Sequence, residues 1–506
     1  MFKRGYAIVA LVVLVSMLLG ACGGAPATPA PAPTQPPAAE PTVAPEPTTA
    51  PEPTTAPEPT QPPATEAPAG EAVMVGGDAT GVVYEYNPNL NNGEPIKLTL
   101  WDWHEPRIRV WEEKVKLYTQ MYPNVSIELV TVPWEEYWTK LAAALPAGEG
   151  PDIYHFHNSN HTQFVGNGLI QPFPEEMFDP AFLRDNWVGM KEGHFMDENG
   201  KIMYLPYGSM AAMLYFNKKM WDEVGLTEAD YPKTWEDMLV LGKKLTKYDA
   251  AGNVDRAGFI FNGYLELLWN DMNFEAGRYM YTKDGKGCQV DTPEGKANLE
   301  MITKFYDEKV SSPEFLTFME AFGTQKAAST WSWTWFSGWL RATYPDLEFF
   351  TVKMPSMKGK DLPALGRQNY EVSLVVKPQE DKAKMAVAFD FLHWLYSNDE
   401  TLVDLAIAHN VAPAYKKLFT HERIVADATI GELVKEIEFK VFPGEFPVSM
   451  NNALTQYIGQ NIMAGTSVDE ALKQTQEACD AAMQEADYWI LERTYAHNDA
   501  MIPDQP

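Results

Sequence analysis

Apolar and polar residues alternate over residues 96–101, the period of a half-buried strand. Residues 107–122 then repeat apolar positions at helical spacing and stop at Pro123. Residues 125–130 alternate again. Residues 134–145 read as a second helix, ended by Pro146 and Gly148, and residues 151–156 as a third strand. Further strands are predicted at 214–217, 258–261, 349–352 and 372–376. Helices are predicted from Thr234 (an N-cap with Asp237 three residues on), over 293–309, over 381–396 as a strongly amphipathic element, and from Asn451 onward. Strands alternating with helices predict an α/β fold with mixed, mostly parallel sheets flanked by helices. In such sheets a ligand sits off the carboxyl ends of the strands.

The beginning of the chain follows different rules. Lys3 and Arg4 precede an apolar run from Ala7 to Leu19, too short for a comfortable membrane span and suited to a signal peptide. Leu19-Gly20-Ala21-Cys22 then matches a bacterial lipobox. The expectation is a signal peptide over 1–21 and a lipidated Cys22. Acyl chains contribute about 0.8 kcal/mol per buried methylene, so two or three hold a protein on a membrane. Residues 22–93 are expected to form a disordered tether. Up to about Gly70 they are Pro, Ala, Thr and Glu, partly in a six-residue repeat, with nothing to build a core. At about 3.1 Å per residue, roughly fifty such residues reach on the order of 150 Å.

The remainder is long enough for two lobes. The net charge of −29 argues against a nucleic-acid partner, which needs a basic face. It also argues against a basic membrane-surface protein, so the membrane is reached through the lipid alone. Besides Cys22 only Cys288 and Cys479 remain, as a disulfide or as two buried thiols. His155, His157 and His161 offer three imidazoles, but neighbouring strand residues face opposite ways and no acidic fourth ligand stands near, so no metal is expected.

Several patterns in order carry a resemblance. They are Tyr122-Pro123-Asn124-Val125; Ala147-Gly148-Glu149-Gly150-Pro151-Asp152-Ile153 followed by Gly168-Leu169-Ile170; Leu205-Pro206-Tyr207-Gly208 with Tyr215-Phe216-Asn217-Lys218; Pro232-Lys233-Thr234-Trp235-Glu236-Asp237; and Val375-Val376-Lys377 through Ala388-Phe389-Asp390-Phe391-Leu392 to Ser397-Asn398-Asp399-Glu400. From residue 95 to about 490 the chain resembles family 1 of the extracellular solute-binding proteins, the group of the maltose-binding protein. The resemblance implies the two-lobed type II periplasmic-binding-protein fold with ligand in the interlobe cleft. It implies a first lobe of 94–207 and 351–409 and a second of 208–350 and 410–506. It also implies a sugar carrier delivering its ligand (an oligosaccharide, from the aromatic density) to the permease of an ABC importer; the lipobox places it on the extracytoplasmic face of the bacterial membrane, and a monomer is the default for a tethered carrier. No cofactor and no chemistry on the ligand are implied.

Sugar recognition needs aromatic faces and planar polar groups. The loop after the first strand offers Trp103 and Glu105, the latter matching an acidic family position. The loop after the third strand offers Phe156, His157, Asn158 and Ser159; an aromatic corresponds to Phe156, whereas Ser159 replaces an acid. The first crossing offers Tyr207, Ser209 and Met210, with Met210 in place of another acid. In the second lobe Tyr264 and Trp269 match a contact stretch, and Trp333 or Trp335 matches a stacking tryptophan. Residues 366–371 read as a cleft loop, with Arg367, Asn369 and Tyr370 as candidates. A polyamine or a glycerol phosphate remains as an alternative ligand. A secreted glycoside hydrolase would need two carboxylates about 5–10 Å apart, and no motif marks such a pair.

Overall fold

The computed structural model describes residues 77–483 apart from 104–105, 191–194, 198, 277, 279, 281–286, 358–365, 438–439, 443–445 and 447, all within the unit 69–506. The signal peptide, Cys22, most of the tether and Glu105 therefore lie outside the described residues.

The opening alternation forms strand β1 (Ile96–Trp103), helix α1 (Ile108–Met121), β2 (Val125–Val132), α2 (Trp134–Ala144) and β3 (Ile153–His155). A long strand, β4 (Pro206–Asn217), follows. Helices α3 (Trp235–Leu245), α4 (Leu265–Glu275) and α5 (Pro293–Asp307) lead to β5 (Ser329–Trp333), α6 (Trp335–Thr343) and β6 (Phe349–Val352). Then come β7 (Gly366–Val372), β8 (Leu374–Val376), α7 (Lys382–Ser397), α8 (Asp399–His409), β9 (Ala412–Pro413), β10 (Lys440–Val441) and α9 (Val468–Ala482). The N-cap of α3 is the one the sequence marks: Thr234 Oγ1 accepts from Asp237 N at 3.0 Å, and the Asp237 carboxylate accepts from Thr234 N at 3.0 Å.

Two sheets organise the molecule. The first has the order β8-β3-β1-β2, with β2 and β3 parallel to β1 and β8 antiparallel to β3. The second is built on β4, whose residues are all buried. Its first half pairs with β7 and β9, its second half with β5 and β6, and β10 adds parallel to β7. The chain passes between the sheets at Ser373, where β7 becomes β8. Ser373 N donates to Leu205 O at 2.8 Å, its hydroxyl accepts from Leu205 N at 3.0 Å, and its carbonyl accepts from Phe156 N at 3.3 Å. Ser373 is fully buried, so these bonds satisfy backbone groups that water cannot reach.

The structure corrects several expectations. Residues 77–93 are not tether: Tyr84 is buried and its hydroxyl donates to Asp390 at 3.0 Å, and Ala79 N donates to Ser397 O at 3.1 Å. Within residues 258–261 only Ile260 pairs, in an isolated bridge with Thr330, and Ala257 just before them bridges Ala327. Gly258 is pressed so close to Gly242 that a Cβ would lie 1.9 Å from its carbonyl oxygen, and that approach replaces regular pairing. Residues 366–371 are strand, not loop. Helix α7 is buried from Val387 to Ser397 rather than amphipathic, because the first sheet and residues 77–93 cover opposite sides. Cys288 and Cys479 form a disulfide that ties α9 down.

Candidate functional site

The carboxyl end of β1 is held by a buried ion pair. Asp102 accepts from Trp103 N (2.7 Å), Arg107 Nε (3.0 Å), Arg107 Nη2 (2.7 Å) and Trp111 Nε1 (2.7 Å). Asp102 and Arg107 are both fully buried. Burial pushes the Asp102 carboxyl up, against the pull of Arg107; burial likewise opposes the Arg107 cation, but Asp102 holds it protonated. Four donors aimed at one carboxylate fit a charged pair. The guanidinium lies 4.2 Å from the Trp103 ring centroid. Trp103 also meets His155 (4.6 Å), Trp134 (4.9 Å) and Tyr137 (5.2 Å) edge-on, so its orientation is fixed.

Arg107 reaches further. Its Nη1 lies 3.3 Å from His409 Nδ1 and 4.0 Å from Glu371. The Tyr207 hydroxyl lies 2.8 Å from the same His409 nitrogen. Burial and then Arg107 push His409 well below its usual range, so the ring stays neutral and its single Nδ1 lone pair faces the Arg107 donor. Tyr207 gets there through an irregularity: the β4–β7 register shifts between Pro206 and Gly208, which re-aims its side chain.

Past β3, His157 caps a short 3-10 turn. Its Nδ1 accepts from Ser159 N at 3.2 Å and meets Ser159 Oγ at 2.7 Å. Asn158 Nδ2 donates to Asn369 Oδ1 on β7 at 2.7 Å. Side chains alternate along a strand, so Arg367, Asn369 and Glu371 share one face of β7 in steps of about 6.7 Å. Each meets a different part of the chain: Glu371 the Arg107–His409 cluster, Asn369 the loop after β3, Arg367 the second sheet. Arg367 Nε donates to Asp271 Oδ1 of α4 at 2.8 Å, and its guanidinium lies 4.5 Å from the Trp333 ring centroid. Across β4, Met210 pairs with Asn369 and Ala212 with Trp333, which keeps this row on one side. Among the described residues, Asn158 Oδ1 and Trp333 Nε1 are buried polar atoms with no protein partner.

The structure thus brings together Trp103, His157, Asn158, Ser159, Met210, Trp333, Arg367 and Asn369, with Tyr207 behind them. It separates others. Phe156 is fully buried against Tyr204 (4.8 Å) and Phe164 (5.8 Å), inside the first sheet's core. Trp269 is fully buried and its Nε1 donates to Gly295 O at 2.8 Å, which makes it a helix anchor. Tyr370 points to the opposite face, between Phe195 (5.2 Å) and Phe442 (5.1 Å) and against Gly189, where a Cβ would lie 2.5 Å from its ring. Ser209 pairs with Tyr370 and shares its face. Tyr264 and Trp335 join an aromatic cluster with Phe318 and Phe336. The three histidines take separate neighbours: Trp103 for His155, Ser159 for His157, and the Tyr204 hydroxyl at 2.8 Å for His161. Among the described residues no group of His, Cys, Asp or Glu could hold a metal ion.

Sequence reasoning missed Arg107, Asp271, His409 and Trp134 as partners. Arg107 meets Asp102 five residues away, whereas Asp271 and His409 arrive only through tertiary contact, and no spacing marks them. Trp134 carried a signal: with Tyr137 and Trp138 it reads as a helical apolar stripe, yet it is 41 % exposed.

Residues 103–401 match the family model described as bacterial extracellular solute-binding protein. An arabinooligosaccharide-binding protein of Halalkalibacterium halodurans is 24 % identical over 220 residues, 42 % of this chain and 45 % of the relative. Its namesake in Bacillus subtilis is 26 % identical over 285 residues, 52 % of this chain and 59 % of the relative. The chain therefore spans about half the length of these curated relatives. The maltose/maltodextrin-binding domain of Bdellovibrio bacteriovorus, solved with maltotriose, superposes with a TM-score of 0.65 at 19 % identity, covering 77 % of this chain and 100 % of that one. That likeness fixes the fold.

Proposed function

The chain belongs to the bacterial extracellular solute-binding proteins, and from that premise we propose that it captures a sugar between its lobes and hands it to an ABC importer. The family is one of binding proteins, not of enzymes. The observation that carries the reading is the polar row of β7. Arg367 and Asn369 face one side, flanked by Trp333 from one sheet and by His157 and Asn158 from the other. Planar hydrogen-bonding groups beside aromatic faces suit pyranose or furanose rings. The first lobe is built on the first sheet, with 77–205 and 373–409, and the second on the second sheet, with 206–372 and the residues from 410. Ligand stabilises the closed state because it touches both lobes only there.

The charges favour a neutral ligand. Arg367 is compensated by Asp271, and Arg107 by Asp102. A phosphate would want free cations and a polyamine would want free carboxylates. Anchoring completes the proposal: Cys22 carries the lipid, residues up to about 76 form the tether, and a monomer works at the extracytoplasmic face beside its permease.

The test is a thermal-shift screen of the purified chain against mono- and oligosaccharides, spermidine and glycerol 3-phosphate. Binding to the native state raises stability by RT ln(1 + [L]/Kd), about 2.7 kcal/mol at a hundredfold excess over Kd. A saccharide-specific shift that disappears in Trp333→Ala is expected. A shift with spermidine or the phosphate alone would refute the sugar reading and leave the carrier role.

A further inference from the structure

Trp134 is the first residue of α2, directly after Pro133 and the carboxyl end of β2. It is 41 % exposed, whereas Trp103, against which it packs, is 4 % exposed. Its ring meets Trp103 at 4.9 Å (75° between planes), Trp138 at 5.5 Å (82°) and His157 at 5.6 Å (82°). Three edge-on neighbours fix the indole in one orientation while much of its surface stays open. Trp103 ends β1 and His157 follows β3, so Trp134 stands where the carboxyl ends of three parallel strands converge. That is where an open parallel sheet binds ligand. An incidental surface tryptophan would not be braced on three sides.

A chain of contacts joins this indole to the other aromatic group. Trp134 meets His157; the next residue, Asn158, bonds Asn369; two residues along β7, Arg367 lies against Trp333. Along that chain stand Asn158 Oδ1, which has no protein partner among the described residues, and the Asn369 amide. Asn369 and Arg367 are one strand step of about 6.7 Å apart on the same face of β7, so two different rings of one ligand can meet them.

We propose that Trp134, braced by Trp103 and His157, is the stacking platform of a second sugar subsite, so that the ligand is an oligosaccharide with one ring at Trp333 and Arg367 and a further ring at Trp134. This rests on the sugar-binding reading above and specifies its ligand. Trp134 acts by contact with the outer ring, while Trp103 only orients it.

The experiment is isothermal titration of the full-length protein in detergent micelles. The probes are malto-, manno- and arabino-oligosaccharides of two to five units and the matching monosaccharides. Wild type should bind oligosaccharides more tightly than the monosaccharide. Trp134→Ala should weaken oligosaccharide binding roughly tenfold or more, a typical loss for one stacked ring. It should leave the monosaccharide affinity within about twofold, and Trp134→Phe should restore most of the loss. Retention of every affinity in Trp134→Ala would overturn the platform, as would an equal loss for all lengths, which would place Trp134 at the primary ring. If wild type binds no saccharide, the sugar reading itself falls and takes the platform with it.

Discussion

Arg367 shows how one side chain can serve two ends. Its Nε bonds Asp271 while its planar face lies on Trp333. A lysine would keep the charge and lose both the fixed fork and the stacking. Arg367→Lys should therefore raise the saccharide Kd roughly tenfold while the melting temperature moves little, because lysine keeps a cation beside the buried Asp271. An unchanged Kd by calorimetry would remove Arg367 from the site. Asp102 poses the opposite case. Its carboxylate compensates a fully buried guanidinium, and Asp102→Asn leaves Arg107 without that partner. Breaking a buried pair costs roughly 3–5 kcal/mol, which urea unfolding would read as a lower midpoint; a midpoint equal to wild type would mean that the pair is not charged. At this scale the sequence was half legible. His157, Asn158, Arg367 and Trp333, which the sequence marks by a strand end or a small neighbour, are brought into one row. Phe156 and Trp269 pack into cores instead, because the same aromatic types fill cores and clefts and the sequence does not say which.

Elements were more legible than residues, because period and punctuation act locally. Thr234 with Asp237 marks a helix start that forms as written. The failures have physical causes. Helix α7 looked amphipathic, but residues 77–93 cover the side that the pattern left for solvent. The stretch around Gly258 looked like a strand, but close approach to Gly242 leaves it only isolated bridges. Pairing of Cys288 with Cys479 was undecidable from a separation of 191 residues, since spacing says nothing about tertiary distance. That separation makes the bond consequential. In the chain-entropy model a loop of this length is worth on the order of 5 kcal/mol through the unfolded state. Beside it, Gln476 on α9 accepts from Val290 N at 2.8 Å. Cys288→Ser with Cys479→Ser should lower the melting temperature by several degrees and leave saccharide affinity within a few-fold, since neither sulfur is at the β7 row. No change in melting under either reducing or oxidising conditions would mean that the bond adds nothing.

On the scale of the whole molecule, the buried histidines link stability to pH. Burial lowers His161 to about 4, and burial with Arg107 lowers His157 to about 4. His155 and His409 are pushed well below their usual value by burial first and Arg107 second. In the unfolded chain all four return to about 6.5. The unfolded state therefore takes up protons first as pH falls. Stability from these groups is fully present above 6.5 and drains away as pH drops toward 4 and below. Each pKa unit is worth about 1.4 kcal/mol, so His157 and His161 alone contribute on the order of 3 kcal/mol each in the limit. Asp390 and Glu266 act in the other sense, since burial raises both carboxyls, but their effect belongs to the carboxylate range at the acid end of this window. Between pH 7.5 and 5 the histidines dominate, and the urea midpoint should hold down to about pH 6.5 and fall from there to pH 5. The two histidines nearest the ion pair make the fall matter for binding. Protonating His409 would set a cation against Arg107 where β4, β7 and α8 meet, the region through which the chain passes between sheets. Saccharide affinity should accordingly weaken along with stability below about pH 5, and His409→Gln, which can accept but not charge, should flatten the binding profile. A urea midpoint constant from pH 7.5 to 5 would show that these imidazoles are already accessible to protons in the folded protein, and a Kd constant down to pH 4 would show that the buried cluster does not govern the junction between the sheets.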